Sequence, residues 1–186
     1  YNAICSLGAI IPIVGEDFEK AIPYIGETTV KGRFQTIKSN RGFYVVIDYA
    51  HTPDSLEKTL ETGRTFSPKV LTVVFGAGGD RDKGKRPMMG EIASKLADKV
   101  IITSDNPRSE NPSQIISDIL KGIPKENLNK VKVIEDRKEA INTALKEAVQ
   151  GEIIIIAGKG HEDYQIIGSQ KIHFSDYEEV ITSKYF

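Results

Sequence analysis

The stretch Asp105-Asn106-Pro107-Arg108 brings an acid, an amide, a rigid turn and a guanidinium into consecutive positions. It follows Val100-Ile101-Ile102-Thr103, an apolar, β-branched run that reads as a buried strand. Pro107 removes a backbone donor and fixes φ, so the strand cannot continue and Asn106 is driven toward extended backbone. In an open parallel sheet, ligands bind just past the carboxyl ends of the strands. A guanidinium fork held there on a stiff loop suits a planar carboxylate or a phosphate. Taken alone, the tetrapeptide equally describes a strand-ending turn with a surface ion pair.

Three further polar clusters follow apolar runs in the same way: Asp48-Tyr49-Ala50-His51-Thr52-Pro53, the glycine-rich residues 76–86, and Gly158-Lys159-Gly160-His161-Glu162. All four should line one rim of a sheet, and that co-location says more than any one motif. Neither glycine-rich loop fits a common nucleotide fingerprint. Gly76-Ala77-Gly78 would need glycine at position 81, where Arg81 stands. Gly158-Lys159 is followed by Gly160, not by serine or threonine, so it is no Walker phosphate loop. A serine hydrolase reading lacks the G-x-S-x-G elbow. His51 at a helix start, like His161, suits a local hydrogen bond, and no second histidine sits at metal-ligand spacing. With Cys5 as the sole cysteine, a disulfide framework and a cysteine zinc cluster are both excluded.

The elements that must hold these loops follow from periodicity and punctuation. Strands are expected over 33–37 and 43–49, joined by a turn at 39–42, then over 70–75, 100–103, 131–134 and 152–157. Helices are expected behind Thr52-Pro53, over 87–97 (burying Met88, Ile92 and Leu96), from Pro112, and behind Asp136 with Glu139 three residues on. The last of these carries the stripe Ala140/Ile141, Ala144/Leu145, Ala148/Val149. Residues 125–130 read as a polar loop. Gly168-Ser169 reads as the turn of a hairpin, with a short helix after it. Strands alternating with helices imply an α/β, doubly wound, mostly parallel sheet of Rossmann-like type, with the antiparallel C-terminal hairpin at one edge. Two apolar helices over 2–13 and 17–25 precede this pattern. Residues 1–27 are therefore expected to be the helical tail of a preceding domain, and 28–186 the domain itself.

The 186 residues bear a net charge of −1, which gives no general attraction to nucleic acid or to an acidic membrane surface. No apolar run reaches membrane-spanning length. The chain opens on Tyr1, which is expected of a piece of a longer protein.

Five stretches in order, Gly32-Arg33-Phe34, the Asp48 to Pro53 cluster, the glycine-rich residues 76–87, Asp105-Asn106-Pro107-Arg108 and Gly158-Lys159-Gly160-His161-Glu162, resemble the carboxy-terminal domain of the Mur ligases. More narrowly they resemble the MurE type, which adds meso-diaminopimelate. The resemblance implies an ATP- and Mg²⁺-dependent amide-bond ligase of the bacterial cytoplasm, acting in peptidoglycan synthesis through an acyl phosphate on a UDP-N-acetylmuramoyl dipeptide. It implies nucleotide contacts from Arg33 and Asp48, and an amino-acid pocket formed by Arg81, Asp105, Asn106, Arg108, Gly158 and Glu162. It gives His51 and Lys159 no defined role. The phosphate loop and the magnesium ligands belong to the family's central domain, so this chain alone is expected to be monomeric and inactive, completed by the amino-terminal and central domains of the same polypeptide. Asp176-Tyr177 departs from relatives that carry a basic residue after the acid, which bears on local surface pairing. The readings that compete are another ligase of the superfamily, such as a folylpolyglutamate synthetase, and a non-catalytic nucleotide- or amino-acid-binding module.

Overall fold

In the computed structural model, residues 30–186 are described. The helices expected over 2–13 and 17–25 lie outside the described residues. Antiparallel β1 (Gln35–Lys38) and β2 (Tyr44–Asp48) pair across the turn at 39–42. The chain then alternates: α1 (Pro53–Thr65), β3 (Val70–Phe75), α2 (Lys85–Leu96), β4 (Lys99–Ile102), α3 (Pro112–Leu120), β5 (Val131–Val133), α4 (Arg137–Lys146) and β6 (Glu152–Ala157). It closes with β7 (Tyr164–Ile167), β8 (Gln170–His173) and α5 (Asp176–Ile181). The helix starts are chemically specified. Thr52 and Ser55 form a reciprocal capping box ahead of α1, Asn111 caps α3, and the Asp136 side chain accepts from the Glu139 amide at α4.

The main sheet runs β1-β2-β6-β3-β4-β5, with β1 antiparallel and every other neighbouring pair parallel. The last strand of this sheet in sequence, β6, inserts between β2 and β3, so the chain reverses its direction of travel there. That switch point opens a crevice past the carboxyl ends of the strands. All six residues of β6 are buried, because the sheet is covered on both faces. Ile153 and Ile155 pack with Leu56, Leu60, Met89 and Ile119 from α1, α2 and α3, whereas Ile154 and Ile156 pack with Ile141, Leu145 and Val180 from α4 and α5.

The expected mostly parallel α/β sheet is present, with four local differences. The C-terminal hairpin does not extend the sheet edge; β7 and β8 form their own two-stranded sheet, and the antiparallel edge strand is β1. In α2 the inward stripe is Arg86, Met89, Gly90 and Ala93 at helical spacing, and Met88 is 53% exposed. Burial of the Arg86 guanidinium in the first turn sets that rotation. Residues Lys125–Lys130 form a 3₁₀ helix, and Val149 lies beyond α4 with its side chain out in solvent.

Candidate functional site

Parallel β2, β3, β4 and β6 deliver their trailing loops to one rim. After β4 the backbone is sewn to the hairpin. The Arg108 amide donates to the Ile166 carbonyl (3.0 Å), and the Gly168 amide donates to the Arg108 carbonyl (2.8 Å). The Ile166 amide donates to Asn106 Oδ1 (2.9 Å), and Gln165 Nε2 to the Asp105 carbonyl (2.7 Å). These bonds hold Arg108 at φ +53°, a left-handed conformation that an unconstrained arginine rarely keeps. Its guanidinium Nη1 donates to the Gly79 carbonyl (2.8 Å), joining the loop after β4 to the glycine-rich loop after β3.

That glycine-rich loop is pinned from beneath. Arg86, fully buried, bonds both oxygens of Glu110 (2.8 and 3.0 Å) and also Asp118 (3.0 Å). Its hydrogen bonds to Glu110 hold that carboxyl down to about 2. Asp118, bonded by Lys121 and Arg86, is likewise lowered to about 2. Glycine is required at position 79, where any Cβ would collide with the Pro107 carbonyl. Gly158, at φ +117°, brings the loop after β6 against Asp105, whose Oδ2 would lie 3.1 Å from an added Cβ.

Between these loops lies a cleft of about 360 Å³ lined by Arg81, Asp105, Asn106, Arg108, Gly158 and Glu162, together with Tyr49, His51, Lys85 and Tyr164 among others. The structure thus gathers all six residues expected of the amino-acid pocket. Asn106 Nδ2 donates to Glu162 Oε2 (3.0 Å). Arg81 is exposed, and among the described residues it bonds only its neighbour's carbonyl, Asp80 (3.1 Å). The cleft therefore offers both carboxylates (Asp105, Glu162) and guanidinium groups (Arg81, Arg108), a set that suits a ligand with separated ammonium and carboxylate groups.

Arg33 and Asp48 do not line this cleft; they sit beside it, linked through Tyr49. The Arg33 guanidinium lies over the Tyr49 ring at 4.6 Å, and the His161 ring lies 5.4 Å from it. Asp48 is committed within the fold: Oδ2 accepts from the Phe34 amide (2.7 Å), while Oδ1 accepts from the Ala50 amide (2.9 Å) and Thr59 Oγ1 (3.1 Å). Sequence reasoning gave Lys85 and Tyr164 no role in the cleft. Lys85 stands in the glycine-rich stretch and was within reach of a closer reading, but Tyr164 carries no signal beyond its strand. Burial lowers the Lys85 ammonium pKa, and the Glu162 charge raises that of the Tyr164 phenol.

Asp176 has its carboxylate fully buried against Arg137, while Tyr177, the residue after the acid, is exposed. A larger cleft of about 580 Å³, lined by Phe34, Tyr44, Phe66 and Ile153 among others, is mainly apolar and is lined by none of the expected residues. Among the described residues no three His, Cys, Asp or Glu side chains gather to hold a metal ion.

Comparison with known proteins gives a consistent likeness. Residues 32–160 match the family described as Mur ligase, glutamate ligase domain. The chain is 50% identical over 180 residues to the UDP-N-acetylmuramoyl-L-alanyl-D-glutamate–2,6-diaminopimelate ligase of Caldanaerobacter subterraneus subsp. tengcongensis, covering 97% of this chain and 37% of that protein. It is 54% identical over 153 residues to the ligase of the same name from Thermosynechococcus vestitus, covering 81% of this chain and 30% of that one. A solved structure of a UDP-N-acetylmuramoyl-L-alanyl-D-glutamate–2,6-diaminopimelate ligase matches with a TM-score of 0.77 at 41% identity, over 96% of this chain and 36% of that one. The folylpolyglutamate synthase of Mycobacterium tuberculosis, complexed with ADP, shares the fold with a TM-score of 0.58 at 21% identity, over 77% of this chain and 33% of that one. The chain spans about a third of the length of these relatives.

Proposed function

The chain belongs to the Mur ligase family through its glutamate ligase domain, and on that premise we propose that it is the amino-acid-binding part of an ATP-dependent ligase. The complete protein adds meso-diaminopimelate, or a close diacid, to UDP-N-acetylmuramoyl-L-alanyl-D-glutamate. The observation that carries this reading is the meeting of Arg81, Asp105, Asn106, Arg108, Gly158 and Glu162 in one cleft, in a chain 50% identical to a ligase named for that amino acid.

ATP would supply the phosphoryl group that turns the muramoyl peptide's carboxylate into an acyl phosphate, and Mg²⁺ would offset the charge; among the described residues no side-chain set gathers to hold the metal. Within this chain, Glu162, Asp105 and the Gly158 carbonyl receive the ammonium of the incoming amino acid, oriented by Asn106. Arg108 and Arg81 take its carboxylates. Holding the amino acid at both ends presents its free amine toward the activated carbonyl, and such orientation is a large share of catalysis when three reactants must meet. Arg33 and Asp48 serve the nucleotide from the neighbouring edge. The Asp48 carboxylate, already bonded to the Phe34 and Ala50 amides, does so as part of a rigid strand end. We place residues 1–27 with the central domain and the reaction in the bacterial cytoplasm, where ATP and the nucleotide-sugar substrate are found; the protein works as a monomer, completed by the other domains of its own polypeptide.

The test is amino-acid-dependent phosphate release by the complete protein with meso-diaminopimelate, lanthionine and lysine. Diaminopimelate should give the highest kcat/KM, lanthionine less, and lysine little. Lysine used as well as diaminopimelate would overturn the diacid assignment. Steady, magnesium-dependent ATP turnover by the 186-residue chain alone would overturn the division of labour between domains.

A further inference from the structure

Lys159 carries no exposed surface and is absent from the lining of the cleft. It stands between Gly158 at φ +117° and Gly160 at φ +54°, so the chain turns on both sides of it and the side chain runs inward. Its Nζ lies 3.2 Å from Asp105 Oδ1, 3.2 Å from Asn106 Oδ1 and 3.5 Å from Glu162 Oε2. One ammonium thus joins the loop after β4 to the loop after β6, beneath the groups that face the cleft. A buried lysine is costly unless paired and hydrogen-bonded, and here each partner is a residue of the site.

We propose that Lys159 is a positioning residue of the amino-acid site, fixing Asp105, Asn106 and Glu162 in the arrangement that receives the substrate ammonium. The inference rests on the function proposed above and adds a residue to it. Asp105 and Glu162 both approach the Lys159 ammonium, at 3.2 and 3.5 Å. The formal charge of Lys159, Asp105 and Glu162 together is −1, matched to one incoming ammonium. Lys159 also accounts for the amide orientation of Asn106, whose Oδ1 turns to Lys159 and the Ile166 amide while Nδ2 turns to Glu162. Arg137 is equally buried but is spent on Asp176, so it does not replace Lys159.

The experiment uses the complete protein and compares wild type, Lys159→Met, Lys159→Gln, Glu162→Gln and the double variant Lys159→Met/Glu162→Gln. Steady-state phosphate release gives KM for meso-diaminopimelate and for ATP, and thermal melting reports the fold. Lys159→Met should raise the diaminopimelate KM by about tenfold or more and change the ATP KM by less than about twofold. The double variant should be no more than about threefold worse than the poorer single variant, because each change removes the same arrangement. Losses that multiply in the double variant, equal rises in both KM values, or an unchanged diaminopimelate KM would each overturn the inference. Lys159→Gln is read if Lys159→Met does not fold; failure of both to fold would assign Lys159 to stability alone and overturn it too. A wild type that releases no phosphate with any diacid would instead overturn the functional reading on which the inference rests.

Discussion

Arg137 and Asp176 form a two-pronged ion pair with neither side chain exposed: Nε to Oδ1 and Nη2 to Oδ2 are both 2.8 Å. Each residue opens a helix, α4 and α5, so the pair fastens the C-terminal helix to the body of the fold. Arg137 Nη2 also donates to the Ala157 carbonyl at the end of β6 (3.0 Å), one residue before the loop that carries Gly158 and Glu162. Removing one partner leaves the other charge buried without its counter-ion. Asp176→Ala should therefore cost about 3–5 kcal/mol of stability. Replacing both, as in Arg137→Met/Asp176→Leu, should recover most of that loss. Urea unfolding of the two variants checks the pair of expectations.

On the function proposed above, Arg108 is assigned to the distal carboxylate of the incoming diacid, a group that lysine lacks. Charge-assisted bonds of this kind contribute about 1.5–3 kcal/mol, so Arg108→Ala should lower kcat/KM for diaminopimelate about ten- to a hundredfold. ATP kinetics in the complete protein should change much less. Because Nη1 also braces the Gly79 carbonyl, the control is the ATP constant of the same variant. Equal losses for both substrates would make Arg108 a support of the loop and not a reader of the substrate.

Asp48 accepts three internal hydrogen bonds, from Phe34, Ala50 and Thr59, beside the nucleotide role proposed for it. Asp48→Ala is expected to raise the ATP KM and also to destabilise the domain by about 1.5–3 kcal/mol. Thr59→Val removes one donor and leaves the carboxylate, so it should cost less stability and leave ATP kinetics unchanged. Melting curves alongside ATP titrations separate the two contributions. Normal ATP kinetics in Asp48→Ala would restrict that acid to strand-end structure.

Acid should loosen the glycine-rich loop first. Glu110 is held down to about 2 from an ordinary 4.5, chiefly by Arg86, and Asp118 to about 2 from 3.8, by Lys121 and Arg86. A depressed carboxylate stabilises the fold fully above its unfolded pKa, and that contribution is lost as pH falls toward the folded value. Stability should therefore decline between about pH 4.5 and pH 2. Glu110→Gln should flatten that decline while lowering stability at neutral pH. Thermal melting as a function of pH tests this, and an unchanged acid profile in the variant would remove Glu110 from the account.

Much of the architecture was legible in local patterns. The β-branched runs of β3, β4 and β6 announce buried strands, and Thr52-Pro53, Asn111-Pro112 and Asp136 announce helix starts, because period, capping and ring constraints act within a few residues. The six cleft residues were marked through the resemblance of those motifs to the Mur ligase carboxy-terminal domain. The sequence alone did not determine which charges go inside. Lys159 and Asp105 lie 54 positions apart, Arg137 and Asp176 39, and nothing near either lysine or arginine in the chain distinguishes it from a solvated one. The same holds for Met88 and Met89, neighbours of equal hydropathy that Arg86 and its acids sort into outside and inside. The hairpin likewise looked like a sheet edge until Asn106 and Arg108 offered its backbone a better partner. A charge or a strand edge is buried only where distant groups satisfy it, and those groups meet only when the tertiary fold closes.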